Sequence, residues 1–169
     1  LGGPQLAALV EAACESGIRK VKFLGGEPLV RSDLAQVVAG IRASAPQADL
    51  SVISSGVVSP GRFDALFEAG LDRVNLSMHG WGREAFARRG GTARGHDLGR
   101  RSLERVLSWG RPAKLNYVLD GPEDEPDLQG LLSFAAGRPV VVAVLDNLAD
   151  EEASAADVLR TLVRLRGPW

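Results

Sequence analysis

The chain has 169 residues, with 20 Lys and Arg against 21 Asp and Glu, so its formal net charge is −1. That balance, with only 5% aromatic residues, argues against a nucleic-acid partner. No apolar run approaches the roughly 20 residues that cross a bilayer, and no signal peptide is visible. We therefore expect no membrane partner, a cytoplasmic location, and one domain over residues 1–169.

Helical and strand patterns alternate along the chain. A helix at residues 4–16 comes first, with Pro4 in its first turn and Gly17 as its stop. The other elements follow in order: a strand at 21–24, a helix from Ser32 or Asp33 to about 43, a strand at 50–54, a helix at 62–69, a strand at 73–78, a helix from Asp97 or Gly99 to 109, a strand at 114–119, a helix at 124–136, a strand at 140–145 and a helix at 150–166. Residues 80–95, rich in Gly and Arg, form one long irregular stretch.

This alternation predicts an α/β fold in which parallel strands are joined by right-handed crossovers. An open doubly wound sheet and a closed or partial barrel both fit the pattern. In either architecture, ligands bind at the carboxyl ends of the strands.

Small polar residues gather at those predicted strand ends. Each group alone is explained by a turn or a helix cap. Together they line one rim: Gly25-Gly26-Glu27-Pro28, Ser54-Ser55-Gly56, Ser77-Met78-His79-Gly80, Asn116, and Asp146-Asn147.

The chemistry of this rim suits one zwitterionic ligand. Gly25 and Gly26 let a ligand reach the backbone, and Glu27 can pair with an ammonium group. A carboxylate or a ribose can bind to the hydroxyl and amide groups of Ser54, Ser55, Ser77 and Asn116. No phosphate-binding loop or GxGxxG pattern follows the first strand.

Four ordered segments resemble motifs of the radical S-adenosylmethionine (SAM) superfamily. Residues 22–29 (KFLGGEPL) resemble its GGEP motif, and Arg31 and Asp33-Leu34 continue the usual pattern. Residues 54–56 (SSG), 69–80 (AGLDRVNLSMHG) and 114–118 (KLNYV) resemble three later motifs. The nearest group contains the molybdenum-cofactor cyclase and the SPASM-type enzymes that mature peptides. The cyclase itself usually has Asp where this chain has His79.

The resemblance implies a partial (β/α)6 TIM-like barrel whose first strand is missing, and two cofactors, SAM and a [4Fe-4S] cluster. Gly25, Gly26 and Glu27 would hold the SAM ammonium, Ser77 and one of Ser54 or Ser55 its carboxylate or ribose, and Asn116 the ribose. Lys22 and Lys114 match substrate-facing positions, and a solvated strand edge is the alternative for both. His79 is a further candidate for contact with substrate.

The implied reaction is reductive cleavage of SAM, followed by removal of a hydrogen atom from substrate by a 5′-deoxyadenosyl radical. It implies a small-molecule or peptide substrate and an electron donor such as flavodoxin or ferredoxin. The substrate itself is not assigned, and no catalytic residue is identified.

The departure from the family is the missing CxxxCxxC motif. Cys14 is the only cysteine, lies in a helical run, and cannot replace three thiolates. Because residue 1 is Leu and the only methionine is Met78, we expect the cluster cysteines upstream and this fragment to be inactive alone. One alternative is a degenerate, cluster-less binding module. Another is an ordinary α/β enzyme that uses Glu27 and His79 as acid and base.

The sequence also contains a local basic stretch. It comprises Arg83, Arg88, Arg89, Arg94, Arg100 and Arg101. A solvated loop and a site for a phosphate or an acidic peptide are the two interpretations of it.

Overall fold

The computed structural model describes residues 1–146, which form one five-stranded parallel sheet covered by six α-helices. The strands are β1 (Lys20–Phe23), β2 (Asp49–Ser54), β3 (Arg73–Met78), β4 (Ala113–Leu119) and β5 (Val140–Asp146). The helices are α1 (Gly3–Glu15), α2 (Leu34–Ser44), α3 (Gly61–Glu68), α4 (Arg83–Arg88), α5 (Ala93–Ser108) and α6 (Glu125–Ala135). No helix in this part of the chain has the length and apolar character needed to span a membrane.

Strand order distinguishes the two architectures that the sequence left open. The strands pair in the order β1-β2-β3-β4-β5, every pair is parallel, and the order never reverses. A doubly wound sheet requires such a reversal, at which its helices change face. The sheet is therefore a barrel segment, as the resemblance implied.

The two faces of the sheet differ in chemistry because side chains alternate along each strand. One face carries fully buried residues such as Val52, Leu76 and Leu115, which pack with the helices in a single core. The opposite face, here called the inner face, carries polar residues such as Lys22, Asn75 and Asn116. Among residues 1–146, the helices that contribute to the core cover the first face and leave the inner face open.

The prediction of a long irregular stretch at residues 80–95 was wrong. This segment contains α4, and α5 begins at Ala93 rather than at Asp97 or Gly99. Thr92 caps α5 by accepting a hydrogen bond from the Gly95 amide at 3.0 Å. Elsewhere, observed and predicted boundaries differ by one or two residues. The predicted helix at 150–166 and Asn147 lie outside the described residues.

Candidate functional site

The carboxyl ends of β1 to β4 bring the predicted rim residues to one edge of the sheet. β2, β3 and β4 are neighbours, and Ser77 is registered directly with Asn116. Adjacent strands lie about 4.8 Å apart, so side chains from neighbouring strand ends can contact one ligand.

Glu27 connects the ends of β1 and β2. Its Oε2 accepts hydrogen bonds from the Ser55 amide at 2.9 Å and the Ser55 hydroxyl at 2.6 Å, while Oε1 accepts one from the Leu29 amide at 3.1 Å. A carboxylate offers about four acceptor positions, so about one remains for a ligand donor. Glu27 is thus fixed in orientation and still able to bind an ammonium group.

The backbone beside Glu27 is uncovered. A Cβ placed on Gly25 or Gly26 would meet no atom within 4 Å. By contrast, a Cβ on Gly80 would lie 2.3 Å from the Phe86 amide nitrogen, so that glycine is needed for packing. Packing within the described residues therefore does not explain the glycine at position 26, and a ligand could reach its backbone.

The two serines that end β2 lie on opposite faces. Ser54 is buried on the core side, where its hydroxyl accepts a hydrogen bond from the Gly56 amide at 2.9 Å. Ser55 lies on the rim and is bonded to Glu27. Of the two serines left open by the sequence, only Ser55 lies on the rim beside Glu27.

Ser77 and Asn116 are polar neighbours on adjacent strands of the inner face. Both are partly exposed, and within residues 1–146 neither side chain has a hydrogen-bond partner. His79 follows two residues after Ser77 and is exposed, and its side chain also has no hydrogen-bond partner in this range. Glu27 and His79 form no hydrogen bond with each other, so the geometry gives no support to an acid and base pair.

The loop after β3 is fixed from α6. Asp127 accepts hydrogen bonds from the Trp81 amide at 2.7 Å, the Gly82 amide at 2.6 Å and the Tyr117 hydroxyl at 2.9 Å. Burial, and then the bond to Asp127, raise the pKa of Tyr117 well above its usual range, so its hydroxyl stays protonated. His96 also contacts this loop, with Nε2 2.9 Å from the Trp81 carbonyl oxygen.

The basic stretch is partly structural: Arg83, Arg88, Arg89 and Arg100 make contacts within residues 1–146, whereas Arg94 and Arg101 are exposed on α5. Arg89 donates to the His79 and Val118 carbonyls at 3.1 Å and pairs with Asp120 and the buried Asp124. Three further arginines are also engaged. Arg83 pairs with Asp97, Arg88 pairs with Asp124, and the Arg100 guanidinium lies 3.4 Å from the Trp81 ring centroid. These contacts stabilise the β3–α5 connection.

A second feature, here called the basic cleft, lies over the first halves of the strands. Its volume is about 720 Å³, and the polar side chains that line it are Lys20, Lys22, Ser51, Arg73, Asn75 and Lys114. Arg73 pairs with Asp49, but in the described part of the chain none of the three lysines has a carboxylate partner. The cleft therefore suits an anion.

Four polar members of this cleft were not identified from the sequence: Lys20, Ser51, Arg73 and Asn75. Lys20 lies two residues before Lys22, and Asn75 two residues before Ser77. The period of two along a strand places each beside its neighbour on the same face. The alternation of side chains, extended to the first residues of the strands, therefore predicts their place on the inner face.

The described residues do not fit an iron–sulfur cluster. Cys14 is buried in α1, and no group of three or more Cys, His, Asp or Glu residues within residues 1–146 could hold a metal ion. The rim, in contrast, has the donor and acceptor set for an amino acid and a ribose.

Comparisons with known proteins agree with this geometry. Residues 4–135 match the sequence profile of the Radical SAM superfamily. A probable GTP 3',8-cyclase of Methanocella arvoryzae is 30% identical over 143 residues, which cover 84% of this chain and 46% of that protein. GTP 3',8-cyclase 2 of Mycobacterium tuberculosis is 35% identical over 148 residues, which cover 85% of this chain and 40% of that protein. The chain thus spans less than half the length of these relatives.

A solved structure shows the same architecture. Coproporphyrinogen III oxidase from Escherichia coli, described as a radical SAM enzyme, superposes with a TM-score of 0.66 at 12% identity, over 97% of this chain and 45% of that one. At that identity the likeness establishes the fold, a TIM-like barrel. Together with the profile match over residues 4–135, the sheet order and rim motifs show that this chain belongs to the radical SAM superfamily.

Proposed function

We propose that this chain is the SAM-binding core of an enzyme that generates a 5′-deoxyadenosyl radical and removes a hydrogen atom from substrate. Radical SAM enzymes use SAM and a [4Fe-4S] cluster, which together supply the electron transfer and the radical. The observation that carries the proposal is the rim, where an oriented carboxylate and an uncovered backbone adjoin strand ends with unpaired polar side chains.

Different rim residues bind different parts of SAM. Glu27 accepts a hydrogen bond from the SAM ammonium, and the backbone at Gly25 and Gly26 lies against the ligand. Ser77 and Asn116 bind the carboxylate or the ribose. Ser55 holds Glu27 and lies beside it, so it can reach the same ligand.

The basic cleft is proposed as the substrate site. Lys20, Lys22 and Lys114 provide positive charge, and Asn75 provides an amide for hydrogen bonding. This combination favours an anionic small molecule such as a nucleotide, and the relatives' names specify GTP. His79 would contact substrate at the rim above the cleft.

The chain by itself is proposed to be unable to cleave SAM, because one cysteine cannot ligate a [4Fe-4S] cluster. The cluster and the electron donor, a flavodoxin- or ferredoxin-type protein, are therefore supplied from outside residues 1–169. The competing function is a binding module that holds SAM or a related ligand without any cluster.

Anaerobic reconstitution of the full gene product with iron, sulfide, a strong reductant and SAM tests the enzyme proposal. The expected product is 5′-deoxyadenosine, lost in Glu27→Gln and retained in Glu68→Gln, which changes an exposed residue of α3. Absence of 5′-deoxyadenosine with cluster and SAM both bound rejects the enzyme. A gene product that takes up no cluster but binds SAM supports the binding module.

Binding of GTP tests the substrate site separately. Lys114→Met should weaken GTP binding about tenfold, the scale of one lost charge-assisted contact. Arg94→Met, an equal change of charge at an exposed residue outside the cleft, should leave binding unchanged. Equal affinity in both variants would place the nucleotide elsewhere.

A further inference from the structure

The turn that follows Glu27 is held in place by Arg62, an arginine in the first turn of α3. Its Nε donates to the Leu29 carbonyl at 2.9 Å, and its Nη2 donates to the Arg31 carbonyl at 3.0 Å and also to that of Leu29. Within residues 1–146 no carboxylate pairs with Arg62. Its guanidinium is therefore committed to two backbone oxygens of this turn.

These bonds reach Glu27 through one residue. Leu29 donates its amide to Glu27 Oε1 while its carbonyl accepts from Arg62, and its side chain is only 2% exposed. The hydrogen bond from Arg62 to the Leu29 carbonyl thus holds this residue in place, and with it the Leu29 amide that binds the Glu27 carboxylate. Any rotation of this turn would misalign Oε1.

The same carboxylate is held from a second direction by Ser55 at the end of β2. Ser55 and Arg62 belong to one continuous β2–α3 unit. That unit therefore holds the Glu27 turn by hydrogen bonds at two points, the Glu27 carboxylate and the Leu29 carbonyl. The remaining acceptor position of Glu27 points in one fixed direction. Arginine suits this task because its planar group can bind two carbonyls at once, which a lysine ammonium does with less geometric control.

We propose that Arg62 is a positioning residue for the amino-acid end of SAM. It acts through Leu29 and Glu27 and does not itself contact the ligand. The proposal rests on the function proposed above, since it assumes that Glu27 binds the SAM ammonium.

The test compares two ligands in the full gene product. SAM carries the ammonium and carboxylate on a sulfonium, whereas 5′-methylthioadenosine carries the same adenosine with a neutral methylthio group and has neither the amino-acid chain nor the sulfonium charge. Equilibrium dialysis under anaerobic conditions should show that Arg62→Met lowers SAM affinity about tenfold and changes 5′-methylthioadenosine affinity less than about twofold. Arg62→Lys should fall between wild type and Arg62→Met. Arg105→Met, which removes a surface ion pair with Asp64, is the matched control and should bind both ligands normally.

Amide hydrogen exchange without ligand gives a second readout. Arg62→Met should raise the exchange rate of the Leu29 amide about tenfold or more, while Arg105→Met leaves it unchanged. A merely structural role for Arg62 would instead raise exchange throughout the sheet.

The outcomes separate the two proposals. A wild-type protein that binds neither ligand rejects the proposed function and this proposal with it. If wild type binds SAM and Arg62→Met binds it equally well, or loses both ligands in parallel, only the role of Arg62 is overturned.

Discussion

Substitution of Gly26 by alanine should have opposite effects on stability and on SAM binding. The added Cβ would meet no atom within 4 Å, and Gly26 is not among the glycines with positive φ. The folded state therefore accepts the methyl group without a clash. Because alanine restricts the unfolded chain, we expect the free energy of unfolding to rise by about 0.4–1 kcal/mol.

Affinity for SAM should fall in the same variant. If the ligand lies against the Gly26 backbone, the methyl group occupies the space of ligand atoms. Forcing an extra methyl into a packed contact costs about 1–3 kcal/mol, which corresponds to roughly 5- to 150-fold in the dissociation constant. Urea unfolding monitored by circular dichroism measures the first effect, and equilibrium dialysis of SAM measures the second.

Gly40→Ala is the matched control. Gly40 lies in α2, and its added Cβ would meet the Ala7 Cβ at 3.9 Å, an ordinary contact. This variant should gain stability, as expected for Gly→Ala in a helix interior, and bind SAM like wild type. If Gly26→Ala also binds like wild type, the backbone of the GGEP turn does not contact the ligand and the reasoning is refuted.

Two further predictions concern the residues that hold the loop after β3. Asp127→Asn replaces an acceptor of three hydrogen bonds with an amide, and should lower the free energy of unfolding by about 3 kcal/mol in urea titrations followed by tryptophan fluorescence. Glu123→Gln, which changes an exposed neighbour, should leave the free energy of unfolding unchanged. Burial raises the pKa of Tyr117 in the folded state, so its contribution to the free energy of unfolding is complete below its unfolded pKa of about 10. That contribution is lost as the pH rises from there toward the folded pKa, by up to about 1.4 kcal/mol per pH unit. Tyr117→Phe should lack this pH-dependent loss of stability when urea midpoints are compared at pH 9 and pH 11. An equal change of the midpoint with pH in both proteins would contradict the assignment.

Local patterns were enough to predict the five strands, every helix of residues 1–146 except α4, and the motifs that follow the strands. Gly-Gly-Glu-Pro after β1 and Ser-Met-His-Gly after β3 could be placed on one rim because parallel strands end at the same edge. Alternation of apolar residues also contained the answer for Ser54, since Leu50, Val52 and Ser54 share the buried face. Strand order was different: alternating elements do not encode it, and only the paired strands distinguish a barrel from a doubly wound sheet.

Long-range polar contacts were the part that the sequence could not supply. Asp127 binds backbone amides 45 and 46 positions earlier in the chain, and Arg62 binds carbonyls 31 and 33 positions earlier. An exposed-looking Asp or Arg on a helix has the same local signature whether it is solvated or holds a distant loop. For this reason the sequence does not distinguish Arg89 and Arg100, which hold other parts of the chain, from the exposed Arg94 and Arg101.

A crystal structure of the protein with SAM tests the central claim most directly. We predict that the ligand ammonium lies within hydrogen-bonding distance of Glu27, over Gly25 and Gly26, with its ribose or carboxylate beside Ser77 and Asn116. SAM bound away from this rim, with Glu27 contacting only Ser55 and Leu29, would contradict the account.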